Sequence, residues 1–78
     1  MTLTDSQIKI MQEDMYAVLA QLLMEKWHYS MDDALETLYN SDTFALVQDA
    51  RTGLYYQSPG YVYSYLENEL TLGTIKAE

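Results

Sequence analysis

The chain has 78 residues, the length of one small domain, and we treat residues 1–78 as a single domain. Its net charge of −8 disfavours binding to nucleic acid and to anionic lipid, and the absence of cysteine excludes disulfides and thiolate chemistry. No apolar run is long enough to span a bilayer, and the N-terminus lacks a signal-peptide pattern. We therefore expect a cytoplasmic protein with no nucleic-acid and no membrane partner.

The first predicted element is a long helix from about residue 5 to residue 27. Thr4 and Gln7 have the spacing of a capping box, which marks its start. Apolar residues then recur every three or four positions in two adjacent stripes, which gives the helix a wide apolar face. The stripes are Ile8, Met11, Met15, Val18 and Leu22, and Tyr16, Leu19, Leu23 and Trp27. The polar residues Gln12 and Glu13 are expected mostly outside this face.

Two shorter helices are predicted next. His28 and Tyr29 end the first helix, and Ser30 can cap the second. A polar break at residues 40–42 follows, where Ser41 or Asp42 can cap a third helix. Gly53 is expected to close that third helix, because glycine accepts the left-handed conformation found at helix ends.

The segment Thr52–Leu70 contains the only proline and five of the eight tyrosines. Aromatic residues favour an extended backbone at 54–56, and Ser58 with Pro59 predicts the start of a fourth helix. That helix ends by Gly73, and we expect 74–78 to be a frayed tail. Glu67 and Glu69 are expected toward solvent.

These elements predict an all-α fold, a small compact bundle of about four helices in which the N-terminal helix is the longest. The predicted core consists of Met15, Val18, Leu19, Leu22, Leu35, Leu38, Phe44, Val47, Val62 and Leu66.

No catalytic signature is present. His28 is the only histidine and has no cysteine or second histidine as a partner, so a structural role at a helix end is favoured. The carboxylates Asp32, Asp33 and Glu36 can attract a cation, but their spacing does not match a calcium loop and fits a helix start better. We therefore expect no catalytic residues, no metal site and no cofactor.

The tyrosines are the unusual feature. A domain of this size cannot bury all five of the rings of Tyr55, Tyr56, Tyr61, Tyr63 and Tyr65. They either bury one edge each and leave the hydroxyl in water, or form an aromatic recognition surface. Tyr61 and Tyr65 are four apart and share one edge of the fourth helix, whereas Tyr63 points roughly 200° away from Tyr61, so at least one of these rings must face out. One of Tyr55 and Tyr56 is also expected outside, since neighbours in an extended segment point to opposite sides. We predict an interface at these five residues, at which Tyr56→Ala or Tyr63→Ala should lower association. Stacking on nucleic-acid bases is a third option that the acidic charge disfavours.

The segments SMDDALETLYNSDTFALVQD and TGLYYQSPGYVYSYLENEL resemble a group of short bacterial domains of unknown function. In these, an acid-acid-Ala-x-x-x-Leu-Tyr turn precedes a glycine-containing link and a Tyr-Val-x-x-x-Leu helix. The resemblance covers most of residues 15–70, and some members are labelled putative toxin–antitoxin components. It implies a small partner-binding protein and supplies no catalytic residues.

Two functions follow as hypotheses. The first is a non-enzymatic interaction module, antitoxin-like or regulatory, that binds its own copy or a basic partner protein. The alternative is a small carboxylate-based metal-binding protein or enzyme.

Overall fold

A computed structural model describes residues 3–73, and its helices follow the predicted order. They are α1 (Asp5–Trp27), α2 (Met31–Tyr39), α3 (Asp42–Gln48) and α4 (Pro59–Leu72). The all-α prediction is confirmed, with α1 the longest helix and no strand within residues 3–73. Over these residues, no helix has the length and hydrophobicity that crossing a membrane requires. The predicted frayed tail at 74–78 lies outside the described residues.

Each of the four helices begins at a polar residue whose side chain accepts a hydrogen bond from a backbone amide in its first turn. The predicted capping box is present in α1, where the Gln7 amide donates to Thr4 Oγ1 over 3.1 Å and the Thr4 amide donates to Gln7 Oε1 over 2.8 Å. The caps of the other three helices are Ser30, Ser41 and Ser58. These helix starts are therefore determined locally, because a cap depends only on neighbouring residues.

The link between α3 and α4 differs from the prediction. Helix α3 ends at Gln48, and two short 3₁₀ turns, Ala50–Thr52 and Leu54–Tyr56, replace the expected longer helix and extended segment. At the end of α3 the Asp49 amide donates to the Ala45 carbonyl, and the Asp49 carboxylate caps the first turn by accepting a hydrogen bond from the Arg51 amide. Gly53, with φ of 71°, joins the two turns. An extended segment would have needed a partner strand, whereas the 3₁₀ turns satisfy their amides locally.

The core is built around a line of α1 residues spaced four apart, Met15, Leu19 and Leu23. Ala34 and Leu38 of α2 and Val62 and Leu66 of α4 pack into the same cluster. Six of the ten predicted core residues are buried; Val18, Leu22, Leu35 and Phe44 are only half-buried. The prediction centred the buried face too far toward Val18 and Leu22. Ala20 and Ala34, which were not among the predicted core residues, are buried, although we expected larger side chains to fill the core.

Helix α3 is held at both ends by side chains from other helices. The Glu69 carboxylate of α4 accepts hydrogen bonds from the Asp42 amide at 2.6 Å and from the Thr43 amide at 3.0 Å. At the other end, Gln12 Nε2 of α1 donates to the carbonyls of Val47 and Gln48 at 3.0 and 2.8 Å. Gln12 and Glu69 were expected toward solvent. Both instead cap α3, and so fix its position between α1 and α4.

Candidate functional site

The structure does not gather the five predicted tyrosines into one exposed surface. Tyr63 is buried, and its hydroxyl accepts a 2.9 Å hydrogen bond from Trp27 Nε1. At 100° per residue Tyr63 lies only 60° from Leu66, which places it on the buried side of α4. Burial raises the pKa of Tyr63, an effect that the Trp27 hydrogen bond opposes. The prediction that Tyr63 faces outward was therefore wrong, and the ring belongs to the core.

Tyr55 and Tyr56 lie in the second 3₁₀ turn rather than in an extended segment. Tyr56 is 68% exposed, whereas Tyr55 is half-buried. Their rings meet edge to face with centroids 6.3 Å apart. The prediction that one of this pair lies outside is confirmed, and the outer ring is Tyr56.

Tyr61 and Tyr65 form a second pair along one edge of α4, as their four-residue spacing predicted. Their rings meet edge to face at 5.3 Å, and their hydroxyl oxygens are 2.9 Å apart. The hydrogen bond to Tyr61, together with partial burial, raises the pKa of Tyr65. Leu72 continues the same edge and is 57% exposed. This edge also carries Asn68 and the two tyrosine hydroxyls, so it is not purely apolar.

A concavity lies elsewhere, between α1 and α2. It is an apolar groove of about 570 Å³, within the size range of ligand-binding clefts. We call it the α1–α2 groove. Its walls contain Glu13, Tyr16, Ala17, Ala20, Gln21 and Met24 of α1 and Met31, Leu35 and Tyr39 of α2.

The groove exists because α2 has two apolar stripes. Ala34 and Leu38 enter the core, while Met31, Leu35 and Tyr39 repeat every four residues and form the groove wall. The outer stripe stays accessible, since Met31 is 55% and Tyr39 is 53% exposed. The four-residue repeat was visible in the sequence, but the single-core interpretation assigned Leu35 to the interior and left Met31 and Tyr39 unassigned.

Two aromatic rings, Tyr16 and Tyr39, line the groove, and Phe44 packs against both of them. Phe44 of α3 packs against Tyr16 with centroids 4.5 Å apart and against Tyr39 at 5.1 Å, the latter edge to face. Aromatic contacts of this kind stabilise the positions of both tyrosine rings by more than the burial of their apolar area alone would. Since Tyr16 and Tyr39 come from α1 and α2, Phe44 ties the two walls together. The aromatic part of the groove is therefore preorganised.

Among the described residues, the only charged one that lines the groove is acidic. Glu13 lies in the wall and no basic side chain lines it. Partial burial of the Tyr16 ring, with the Glu13 carboxylate nearby, raises the pKa of the Tyr16 hydroxyl. On α2, Asp32 and Glu36 follow directly after the wall residues Met31 and Leu35 and are exposed. An apolar floor with acidic neighbours favours a ligand that is both apolar and basic.

The remaining candidate residues show no reactive arrangement. His28 is exposed in the left-handed conformation that ends α1, with φ of 58°. Asp32 and Asp33 lie in the first turn of α2, where acidic residues favour the helix dipole. Across the part of the chain that the structure describes, no group of three or more histidine or carboxylate side chains is placed to hold a metal ion. Within residues 3–73 the metal-binding form of the carboxylate-based alternative therefore has no candidate site.

Comparison with known protein families, with curated proteins and with solved structures finds no match to this chain.

Proposed function

We propose that this protein is a non-enzymatic interaction module that binds a basic amphipathic helix of a partner protein in the α1–α2 groove. The observation that carries the proposal is the groove itself, a long apolar cleft with two half-exposed anchor side chains, Met31 and Tyr39, and an acidic surrounding.

The length and shape of the groove suit a helix. Its α1 wall runs from Glu13 to Met24, about 17 Å at roughly 1.5 Å per residue, which matches three turns of a partner helix. Amphipathic helices bind in this way through apolar residues repeated every three or four positions. Met24 and Met31 have flexible, polarizable side chains that adapt to several apolar partners. The groove therefore favours an apolar helix face over a rigid small molecule.

Charge selects among the possible helices. The chain carries a net charge of −8, so a second copy would bring equal charge into the same cleft and be repelled. A partner with lysine or arginine beside its apolar face would instead be attracted to Glu13, Asp32 and Glu36. We therefore favour a basic partner protein over a homo-oligomer.

The proposal includes the setting that the sequence suggested, an antitoxin-like or regulatory protein of the bacterial cytoplasm. The resemblance to short bacterial domains supports that setting. Tyr56 and Tyr61 remain exposed, and a partner larger than one helix would be able to reach them.

The test uses a peptide of about 18 residues, long enough to form a helix, with leucine on one face and lysine on the other. Fluorescence anisotropy of the labelled peptide measures binding. We expect saturable binding that is at least about tenfold tighter than for a scrambled peptide of the same composition, which has no apolar face. A peptide with the same leucine face and glutamate in place of lysine should bind more weakly than the scrambled peptide.

Two variants with equal charge separate the groove from the rest of the surface. Met31→Glu puts a carboxylate in the groove wall at the first position of α2, where the helix dipole tolerates it. Tyr56→Glu puts the same charge at an exposed site outside the groove. We expect Met31→Glu to lose about tenfold in affinity although it adds attraction for lysine, and Tyr56→Glu to change little. Equal effects of the two variants would overturn the proposal. So would binding of an apolar dye without binding of the peptide.

A further inference from the structure

A second, smaller concavity lies on another side of α1. It has a volume of about 210 Å³ and is lined by Met11, Asp14, Met15 and Val18 of α1, Tyr55 of the second 3₁₀ turn and Pro59 of α4. At 100° per residue, its α1 residues are centred roughly 140° around the helix from those of the α1–α2 groove. The two concavities are therefore separate sites on opposite flanks of the buried face of α1.

We propose that this second pocket binds a single arginine side chain of a partner protein. Its volume is below the range of small-molecule and cofactor sites, which is about 300–1,000 Å³, so the occupant must be of side-chain size. Such a site goes beyond the proposed groove function and does not depend on it.

The chemistry of the walls selects the occupant. Met11, Met15, Val18 and Pro59 provide an apolar surface for an aliphatic stem. Asp14 contributes a carboxylate, and the only ion pair among residues 3–73 is Arg51 with Asp49, so Asp14 has no cationic partner there. A cation entering the pocket would neutralise it.

The Tyr55 ring favours a guanidinium over an ammonium. Its position is fixed from one side by the edge-to-face contact with Tyr56. A guanidinium is planar, stacks on aromatic rings and forms two parallel hydrogen bonds to one carboxylate, whereas an ammonium is a compact and strongly hydrated charge. An aromatic ring and a carboxylate in one side-chain-sized pocket are the two groups that arginine uses together.

The arginine must come from another protein. Arg51 is the only arginine of this chain, and its Nε and Nη2 atoms already donate to the Asp49 carboxylate at 3.0 and 2.9 Å. A second copy would have to break that pair before it could insert Arg51 into the pocket.

The test is an NMR titration of protein labelled at its methionine methyl groups, with acetylated arginine amide as the probe. Met11 and Met15 report on this pocket, and Met24 and Met31 report on the α1–α2 groove. We expect saturable millimolar binding that shifts Met11 and Met15 and leaves Met24 and Met31 in place. The corresponding citrulline compound has the same shape without charge and should not saturate. The lysine compound should bind at least about threefold more weakly than arginine.

Asp14→Asn removes the carboxylate, and Glu13→Gln is its control because it removes one negative charge from the adjacent position on a different face. Both residues are exposed, so neither change threatens the fold. We expect Asp14→Asn to weaken arginine binding at least about fivefold and Glu13→Gln to change it by less than about twofold. Equal losses in the two variants, or equal binding of lysine and arginine, would mean diffuse attraction to an acidic surface and would overturn the proposal.

Discussion

Among the partly exposed side chains, Glu69 is the one whose removal should lower the free energy of unfolding most. Its carboxylate accepts hydrogen bonds from the amides of Asp42 and Thr43 and from Thr43 Oγ1, the last at 2.9 Å. Ser41 Oγ accepts the next amide, that of Phe44, at 3.0 Å. The first three amides of α3 are thus satisfied by two side chains, one of them 27 residues away in sequence.

The expected loss in the free energy of unfolding follows from the groups that Glu69→Ala leaves without a hydrogen-bond partner. Thr43 is fully buried, so its hydroxyl and amide would lose their partner where water reaches them poorly, at about 1–3 kcal/mol. The Asp42 residue is exposed, and water can replace its bond at little cost. We expect a total loss of about 2–3 kcal/mol in the free energy of unfolding, which lowers the melting temperature of a domain of this size by about 10–20 °C. Glu69→Gln keeps one acceptor oxygen, which can serve the buried Thr43, and loses the acceptor for the exposed Asp42 amide and the charge at the helix N-terminus, so it should cost only about 1 kcal/mol.

The assay is urea unfolding followed by far-ultraviolet circular dichroism, with Glu67→Ala as the matched control. Glu67 is exposed in the same helix and caps nothing within residues 3–73, so its replacement should stay within about 0.5 kcal/mol of wild type. A double-mutant cycle with Thr43→Val should give a coupling of about 1–2 kcal/mol. If Glu69→Ala and Glu67→Ala are equally mild, the capping argument is refuted.

Four further changes test other parts of the fold. Gly53→Ala should lower the free energy of unfolding by about 1 kcal/mol, because φ at this position is +71°. Gly60→Ala should raise it by about 0.5–1 kcal/mol, because this residue is helical and has open space around it. Urea unfolding measures both. His28→Gly should stabilise by about 0.5–1 kcal/mol, because it relieves a left-handed non-glycine residue at the end of α1, and a loss by the same assay would contradict this. The pKa of Tyr16 is raised above the ordinary value of 10.0 in the folded protein. The contribution of this residue to the free energy of unfolding should therefore be fully present below pH 10.0 and be lost as the pH rises through the folded-state pKa. Tyr16→Phe should accordingly show a smaller drop in melting temperature at alkaline pH.

The helix starts could be predicted from sequence because their determinants are local. Thr4 with Gln7, and Ser58 with Pro59, specify a helix start within a few residues, and the structure has both. Glu69 and Gln12 show the limit of such reasoning. Each lies where periodicity indicates solvent, and each caps α3 across 26 to 36 residues of sequence. No local pattern records a contact of that range.

The candidate site was harder to predict for a related reason. We compared the angular position of Tyr63 on the helix only with that of Tyr61. Its burial instead follows from its position close to Leu66 around the helix. The groove depends on how α2 lies against α1, which leaves Met31 and Tyr39 beside a cleft instead of in the core. A second apolar stripe on α2 was present in the sequence, yet its meaning required the tertiary packing.

The most direct test of the central claim is the methionine methyl spectrum of the protein during addition of the leucine and lysine helix. We expect the Met24 and Met31 signals of the α1–α2 groove to shift and saturate, with contacts from their methyl groups to leucine side chains of the peptide. Met11 and Met15, in the second pocket, should stay in place because lysine is a poor occupant there. Unmoved Met24 and Met31 signals at saturating peptide, or equal shifts at Met11, Met15, Met24 and Met31, would contradict the proposed groove function.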